Sequence, residues 1–422
     1  MNILICTVGG SHQPIVRAIE TNKPDFVCFI CTGRDPATHR PGSEIQITGN
    51  GNFIKANHAD ETPSLPNIPT QCGLGEDQYE LCLVPADDLD GIYVGCRMAL
   101  QELRKRYPTA RIITDYTGGT KSMSAGLVLA ALEDGTTALQ LVMGERWDLI
   151  GVQDGEMAAL ANVDSIRLER SMQPYLNAWH RFSYAEAAAG LSTVPMPNNV
   201  DQQGRFIRRR AISTAFAAWD AFDHTTARQI LKTYGAALPG DWGVFHGVLG
   251  ALTSKENPPK QQAAQLFDLY RNAERRFAQG RHDDGVARLY RLLEWTAQWL
   301  LEKHCQVRTA DLPRDWFPEG KVPNRDGRYQ AGLFEAWGLV GSRTTGPLAN
   351  WYTANQNAML DQLRARNGSI LAHGFEPVSA SLGQQFHDWL AKDFITALLE
   401  ETAADNSIRI NQLPPQLPTK CP

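Results

Sequence analysis

The chain has 422 residues, 43% hydrophobic and 21% charged, with a formal net charge of −5. This is a globular composition with length for roughly two or three domains, and the mild acidity excludes a uniformly basic nucleic-acid binder while leaving room for a local basic groove. No apolar run approaches the roughly 20 residues of a membrane-spanning helix, and "MNILICTVGG" has no basic region or cleavage site of a signal peptide, so a cytoplasmic protein with no membrane partner is expected.

The first part alternates short apolar runs with helical patterns. "NILICTV" reads as a strand and "GGSHQ" as a turn, and "PIVRAIE" reads as a helix with Pro14 near its first turn. "DFVCFICT" is a second strand. It holds Cys28 and Cys31 at C-x-x-C spacing, but no second C-x-x-C completes a zinc site, and a strand this apolar favours buried thiols. "YELCLVP" is a third strand, after a polar, Pro- and Gly-rich loop around residues 60–78. "GIYVGCRMALQELRKRYP" is an amphipathic helix, "ARIITDYT" a strand, "GGTKSMSAGLVLAALED" a helix and "TALQLVMG" a strand. Strands separated by helices of this length predict a mostly parallel, Rossmann-like α/β domain over residues 1–168.

The character then changes. Trp147 is the only one of the ten tryptophans that precedes residue 170, and long helical patterns such as "DDGVARLYRLLEWTAQWLLEKH" and "LGQQFHDWLAKDFITALLEET" take over. The polar stretch "SKENPPK" divides this region. A helical middle segment, 169–258, and an all-α domain, 259–405, are predicted, followed by a tail, 406–422, that is extended or disordered.

In an open parallel sheet, ligands sit at the carboxyl ends of the strands. Two such ends are unusual here. "TVGGSHQP" places Val8, Gly9, Gly10 and Ser11 after the first strand. "DYTGGTKS" places Thr117, Gly118, Gly119, Thr120, Lys121 and Ser122 between a strand and a helix. Glycines permit sharp turns or close backbone approach, helix N-termini attract anions, and Lys121 adds a full positive charge. Ordinary βα-turn chemistry is the competing reading. Neither segment fits G-x-G-x-x-G or G-x-x-x-x-G-K-[ST], so a phosphorylated ligand other than a dinucleotide or nucleoside triphosphate is expected.

The stretch "RARNGSILAHG" begins at residue 364. If its helix is continuous, Arg366 and His373 lie two turns apart to within about 20°, with a rise of roughly 10 Å, and Gly374 ends the helix. A helix end with a cation favoured by the dipole would look the same, and "NG" could break the helix at Asn367. The chemical reading is metal-independent RNA cleavage. A histidine moves protons near neutrality, an arginine grips phosphate oxygens, and an asparagine orients either partner or the ribose.

"DYTGGTKSMSAGLVLAAL" resembles the signature of CARF domains, the Rossmann-like sensors of CRISPR-associated proteins. "RNGSILAHG" resembles the R-x(4–6)-H motif of HEPN ribonucleases, and "RHDDGVARLYRLLEWTAQ" is similar to the HEPN helix that precedes the catalytic one. The order matches the ancillary ribonucleases of type III CRISPR systems, over roughly residues 1–165 and 260–402. The resemblance implies a homodimer. A cyclic oligoadenylate would lie across its CARF pair, against Val8 to Ser11 and Thr117 to Ser122, and Arg366, Asn367 and His373 would cleave single-stranded RNA without a metal or other cofactor. Some CARF domains also cut their ring, for which Thr117, Thr120 and Lys121 are candidates. No stable DNA partner is expected. The alternatives are a ligand-sensing regulator with a non-catalytic helical domain that binds RNA or protein, and a small-molecule enzyme built on the sheet domain.

Overall fold

The computed structural model describes residues 1–36, 38–49, 66–143, 157–234, 240–367, 375–403 and 410–417; of 241 and 364–367 only the backbone course is described. The chain divides into two compact units, Met1–Glu169 and Arg170–Pro422.

The first unit holds a six-stranded sheet in the order β3-β2-β1-β4-β5-β6. The strands are β1 (Asn2–Thr7), β2 (Phe26–Thr32), β3 (Tyr79–Val84), β4 (Arg111–Asp115), β5 (Ala138–Met143) and β6 (Met157–Leu160). The first five are mutually parallel, with Ile5 of β1 in register with Cys28 of β2 and Thr114 of β4. These are the strands that the apolar runs predict. β6, which the sequence reading missed, pairs antiparallel with β5 and is only "MAAL", too short to show a period.

The strands are apolar along their length because both faces are covered. Ile3, Ile5, Cys28, Ile30 and Ile112 pack under the helices Leu89–Arg106 and Lys121–Asp134, while Leu4, Cys6, Val27, Phe29 and Cys31 pack against the helix Gln13–Asn22. Each such side chain contributes about 1.5–3 kcal/mol on full burial. Cys28 and Cys31, three apart on one strand, therefore point into opposite layers, and both are fully buried. Burial pushes both thiols well above their ordinary range. They are core residues and not a chelating pair.

After β1 the chain steps outward to β2 and β3 and returns to place β4 on the other side of β1. The crevice at the carboxyl ends of β1 and β4 is thus the switch point where open α/β sheets bind ligands.

The second unit is helical. Its helices include Tyr184–Thr193, Val200–Asp220, His224–Tyr234, Gly243–Leu252, Pro258–Ala278, His282–Cys305, Leu333–Arg343, Pro347–Asn367 and Ala380–Trp389, the last continuing through a π turn into Ile395–Thr402. One core runs from Ala178 to Leu413, so the middle segment and the helices after Pro258 bury their apolar faces against each other. The "SKENPPK" stretch works as a helix start inside this unit: the Asn257 side chain accepts from the Lys260 N–H at 3.1 Å, and Pro258 opens the helix. A buried polar knot joins the two parts. Asp220 accepts from Arg275 Nε at 2.7 Å and also binds Arg276, and Asp268 accepts from Trp219 Nε1 and meets His224, each at 2.9 Å. In the tail, residues 410–417 have no regular secondary structure but are packed. Arg271 Nε donates to the Ile410 carbonyl at 3.0 Å, Gln412 bridges Arg271, Glu274 and Arg275, and Leu413 is 1% exposed.

Candidate ligand edge and nuclease segment

The loops after β1 and β4 are locked together. Thr7 Oγ1 donates to the Gly118 carbonyl at 2.6 Å. A Cβ on Gly118 would stand 2.2 Å from the Thr7 oxygen, and one on Gly9 would stand 2.6 Å from the Gly119 nitrogen. Gly119 also has φ of 79°, a left-handed conformation that favours glycine. These three glycines therefore serve contact between loops.

The threonine hydroxyls of the second loop are committed as well. Thr117 Oγ1 accepts from the Val142 N–H at 2.7 Å and hydrogen-bonds Asp115, whose carboxylate also accepts from the Thr117 N–H at 2.9 Å and from Gln140 Nε2 at 3.0 Å. Burial pushes the Asp115 carboxyl up, opposed by these bonds. Thr120 is the N-cap of Lys121–Asp134: its Oγ1 accepts from Met123 N–H at 3.2 Å and donates to the Ala86 carbonyl at 3.0 Å, which ties in the end of β3. Val8 is fully buried, and its N–H donates to Ile30 at 2.8 Å.

The ten sequence-predicted residues thus fall into two groups. Val8, Gly9, Thr117, Gly118, Gly119 and Thr120 build the edge. Gly10, Ser11 and Lys121 are exposed and Ser122 is half-buried, none with a side-chain partner among the described residues, and a Cβ on Gly10 would meet open space. This second group presents backbone amides, two hydroxyls and one ammonium at a helix start, which suits an anion. Sequence reasoning missed Gln46, buried after β2, whose Nε2 donates to the Gly9 carbonyl. No local pattern marks it, because the contact joins two separate strand ends.

In the helical unit, Arg366 and Asn367 are the end of the helix Pro347–Asn367, which is seated by Met359 and Leu363 and whose Leu348 N–H donates to Glu401 at 3.5 Å. His373 and Gly374 lie outside the described residues, as do the side chains of Arg366 and Asn367, so the shared helix face expected for Arg366 and His373 falls outside them too. The segment beyond is fixed. Val378 is buried and its N–H donates to Asp283 Oδ1 at 3.0 Å, in the first turn of His282–Cys305. Ser379 then caps Ala380–Trp389, accepting from Leu382 N–H at 3.2 Å.

That last helix carries a titratable cluster that the sequence did not single out. His387 stacks on Tyr270 with ring centroids 5.8 Å apart, and its Nε2 lies 3.2 Å from the Tyr270 hydroxyl and 3.8 Å from Glu274 Oε1. Its Nδ1 lies 3.1 Å from Asp388. The Glu274 contact raises the His387 pKa above its ordinary value, with burial opposing and Asp388 assisting.

Against known proteins, residues 254–396 match the family model described as "Csm6 HEPN domain". No curated protein matches. Among solved structures, the chain is similar to Enterococcus italicus Csm6 bound to cyclic hexa-2'-fluoro-hexa-dAMP, with a TM-score of 0.54 and 12% identity over 97% of this chain and 100% of that one. It also matches Can2 from Sulfobacillus thermosulfidooxidans in complex with cyclic tetra-adenylate, with a TM-score of 0.25 and 13% identity over 56% of this chain and 69% of that one. The chain thus joins a doubly wound sheet unit to a helical unit that carries the HEPN match. Residues 254–396 are thus a HEPN domain of the Csm6 kind, and the chain shares its fold with a solved Csm6.

Proposed function

We propose that the chain is a cytoplasmic, cyclic-oligoadenylate-activated endoribonuclease of CRISPR antiviral defence that cleaves single-stranded RNA without a metal. The observation that carries this reading is the HEPN match, because residues 254–396 include Arg366, Asn367 and His373. His373 would move the proton of the ribose 2′-OH or of the leaving 5′-oxygen. Arg366 would hold the phosphorane charge, and Asn367 would orient either group. Products would carry 2′,3′-cyclic phosphate or 3′-phosphate ends and 5′-hydroxyls.

The ring would lie over the carboxyl ends of β1 and β4, meeting Gly10, Ser11, Lys121 and Ser122 on the scaffold of the other six residues. The likeness to a Csm6 fold that holds a cyclic hexanucleotide analogue supports this placement. A cyclic ligand with repeating units suits a two-fold symmetric site, so the working unit is a homodimer. The ligand acts through its greater affinity for the active arrangement. Ring opening by this domain would draw on Lys121, since the Thr117 and Thr120 hydroxyls are committed to the scaffold.

The test is incubation of the protein with single-stranded RNA, with and without cyclic oligoadenylates of different ring size, in EDTA. Ring-stimulated, EDTA-resistant cleavage is expected. Ring binding without cleavage would leave the regulator reading, and cleavage only with added metal would overturn the mechanism.

A further inference from the structure

Residues 410–417 have no regular secondary structure, yet they are held as a bound peptide would be. With no ladder of their own, their course is set by the surface they lie on. Ile410 is 5% exposed and Leu413 1%, and both sit in the core of the helical unit, against which Leu417 also packs. Asn411, Pro415 and Gln416, between them, are exposed.

The polar contacts are as specific. Both ends of the Gln412 amide are used. Its Nε2 donates to the Arg271 carbonyl at 2.9 Å and to Glu274 Oε2 at 3.0 Å, and its Oε1 accepts from Arg275 Nη1 at 2.7 Å. The backbone is gripped too: Arg271 Nε donates to the Ile410 carbonyl at 3.0 Å, and the Tyr184 hydroxyl donates to the Pro414 carbonyl at 2.8 Å. Tyr184 belongs to the middle segment, and Arg271, Glu274 and Arg275 to the helix Pro258–Ala278 inside the HEPN match. Both parts of the unit therefore build the groove, and both depend on its being filled. Arg275 is 0% exposed, and its side chain has only Asp220 and Gln412 as hydrogen-bond partners among the described residues. An emptied groove would leave that buried guanidinium short of an acceptor, a costly state. Pro414 and Pro415 restrict the stretch before it docks, which lowers the entropy cost of ordering it.

We propose that this groove is a peptide-binding site and that residues 410–417 are its built-in ligand, a strap that locks the middle segment against the HEPN helices. The site takes an extended peptide with a buried apolar side chain, a carboxamide just before it and a prolyl carbonyl just after. A helix could not serve, because Arg271 and Tyr184 bond backbone carbonyls that a helix uses internally. The strap stands whether or not the chain cuts RNA.

The test uses the full chain and a synthetic peptide of residues 410–417, INQLPPQL. In Leu413→Asp the strap should leave its pocket, because a carboxylate is not tolerated in the core. This variant should melt roughly 5–15 °C below wild type, as loss of a buried leucine implies in a unit of this size. The free peptide should bind it and raise its Tm. Binding should be at least about tenfold tighter than to wild type, whose own strap competes at a roughly millimolar effective concentration. The same peptide carrying Gln412→Ala or Leu413→Ala should not bind. Asn411→Ala in the full chain should melt as wild type does. Should Leu413→Asp not fold, Gln412→Ala in the full chain carries the same comparison, since it removes polar contacts and leaves the leucine. A wild-type Tm for the strap variant, equal peptide binding by variant and wild type, or binding to neither would each overturn the proposal. So would a loss in Asn411→Ala as large as that in the strap variant.

Discussion

Gly9 and Gly119 meet through their backbones: a Cβ on Gly9 would lie 2.6 Å from the Gly119 nitrogen and 2.9 Å from its Cα. Two loops far apart in sequence thereby become one ridge at the switch point of the sheet. The clash in Gly9→Ala is with main chain, which cannot rotate away, and overpacking of this kind costs about 1–3 kcal/mol. Gly9→Ala should therefore lower the Tm and weaken ring activation together. Gly10→Ala faces open space and should melt close to wild type. Thermal unfolding and ring titration of both variants check this, and equal melting of the two would show that the loops separate freely.

On the proposed ring site, Lys121→Ala should separate sensing from cutting. It is exposed at the first turn of Lys121–Asp134. If its ammonium meets a ring phosphate, Lys121→Ala loses a charge-assisted contact of about 1.5–3 kcal/mol, or roughly ten- to a hundredfold in the ring concentration for half-activation. Cleavage at saturating ring should stay near wild type. An unmoved activation midpoint would remove this loop from the phosphate contacts.

His373→Ala and Arg366→Ala should show the opposite behaviour. Ring binding should be unchanged, while RNA cleavage should fall by at least ~10²- to 10⁴-fold, the usual range of acid–base catalysis. End-group analysis of wild-type products should find 5′-hydroxyls. Finding 5′-phosphates would exclude attack by the 2′-OH.

The contact between His387 and Glu274 predicts a pH dependence. The folded pKa of His387 is raised, first by Glu274, so its contribution to stability is complete below the unfolded value of about 6.5 and is lost as pH rises through the folded value. Glu274 has the reverse sign. Burial pushes its carboxyl up, but His387 and Arg271 together hold it below its ordinary value, so its contribution is lost as pH falls through the folded value. The docking of Ala380–Trp389 on Pro258–Ala278 should be firmest between the two titrations. His387→Gln should flatten the fall in Tm on the alkaline side. Parallel Tm-against-pH curves for variant and wild type would show that the pair carries no linkage.

The parts of this protein written in short-range pattern could be read from the chain alone. Five parallel strands were legible because burial on both faces makes a strand continuously apolar, and the helices between them leave only a parallel sheet. The Gly-Gly-Thr-Lys turn was legible as a strand end opening a helix. Tertiary structure alone decided which residues of the candidate ligand edge are scaffold and which face outward. Gly9 and Gly10 are neighbours of one kind in the sequence, yet one is pressed against Gly119 and the other faces open space. It alone brought Gln46 to Gly9, put the middle segment into the core of the HEPN helices, and set His387 against Tyr270 and Glu274. Each of these is a contact between segments distant along the chain. Such contacts follow from how layers pack and not from any period in the residues, so they leave no local signal to read.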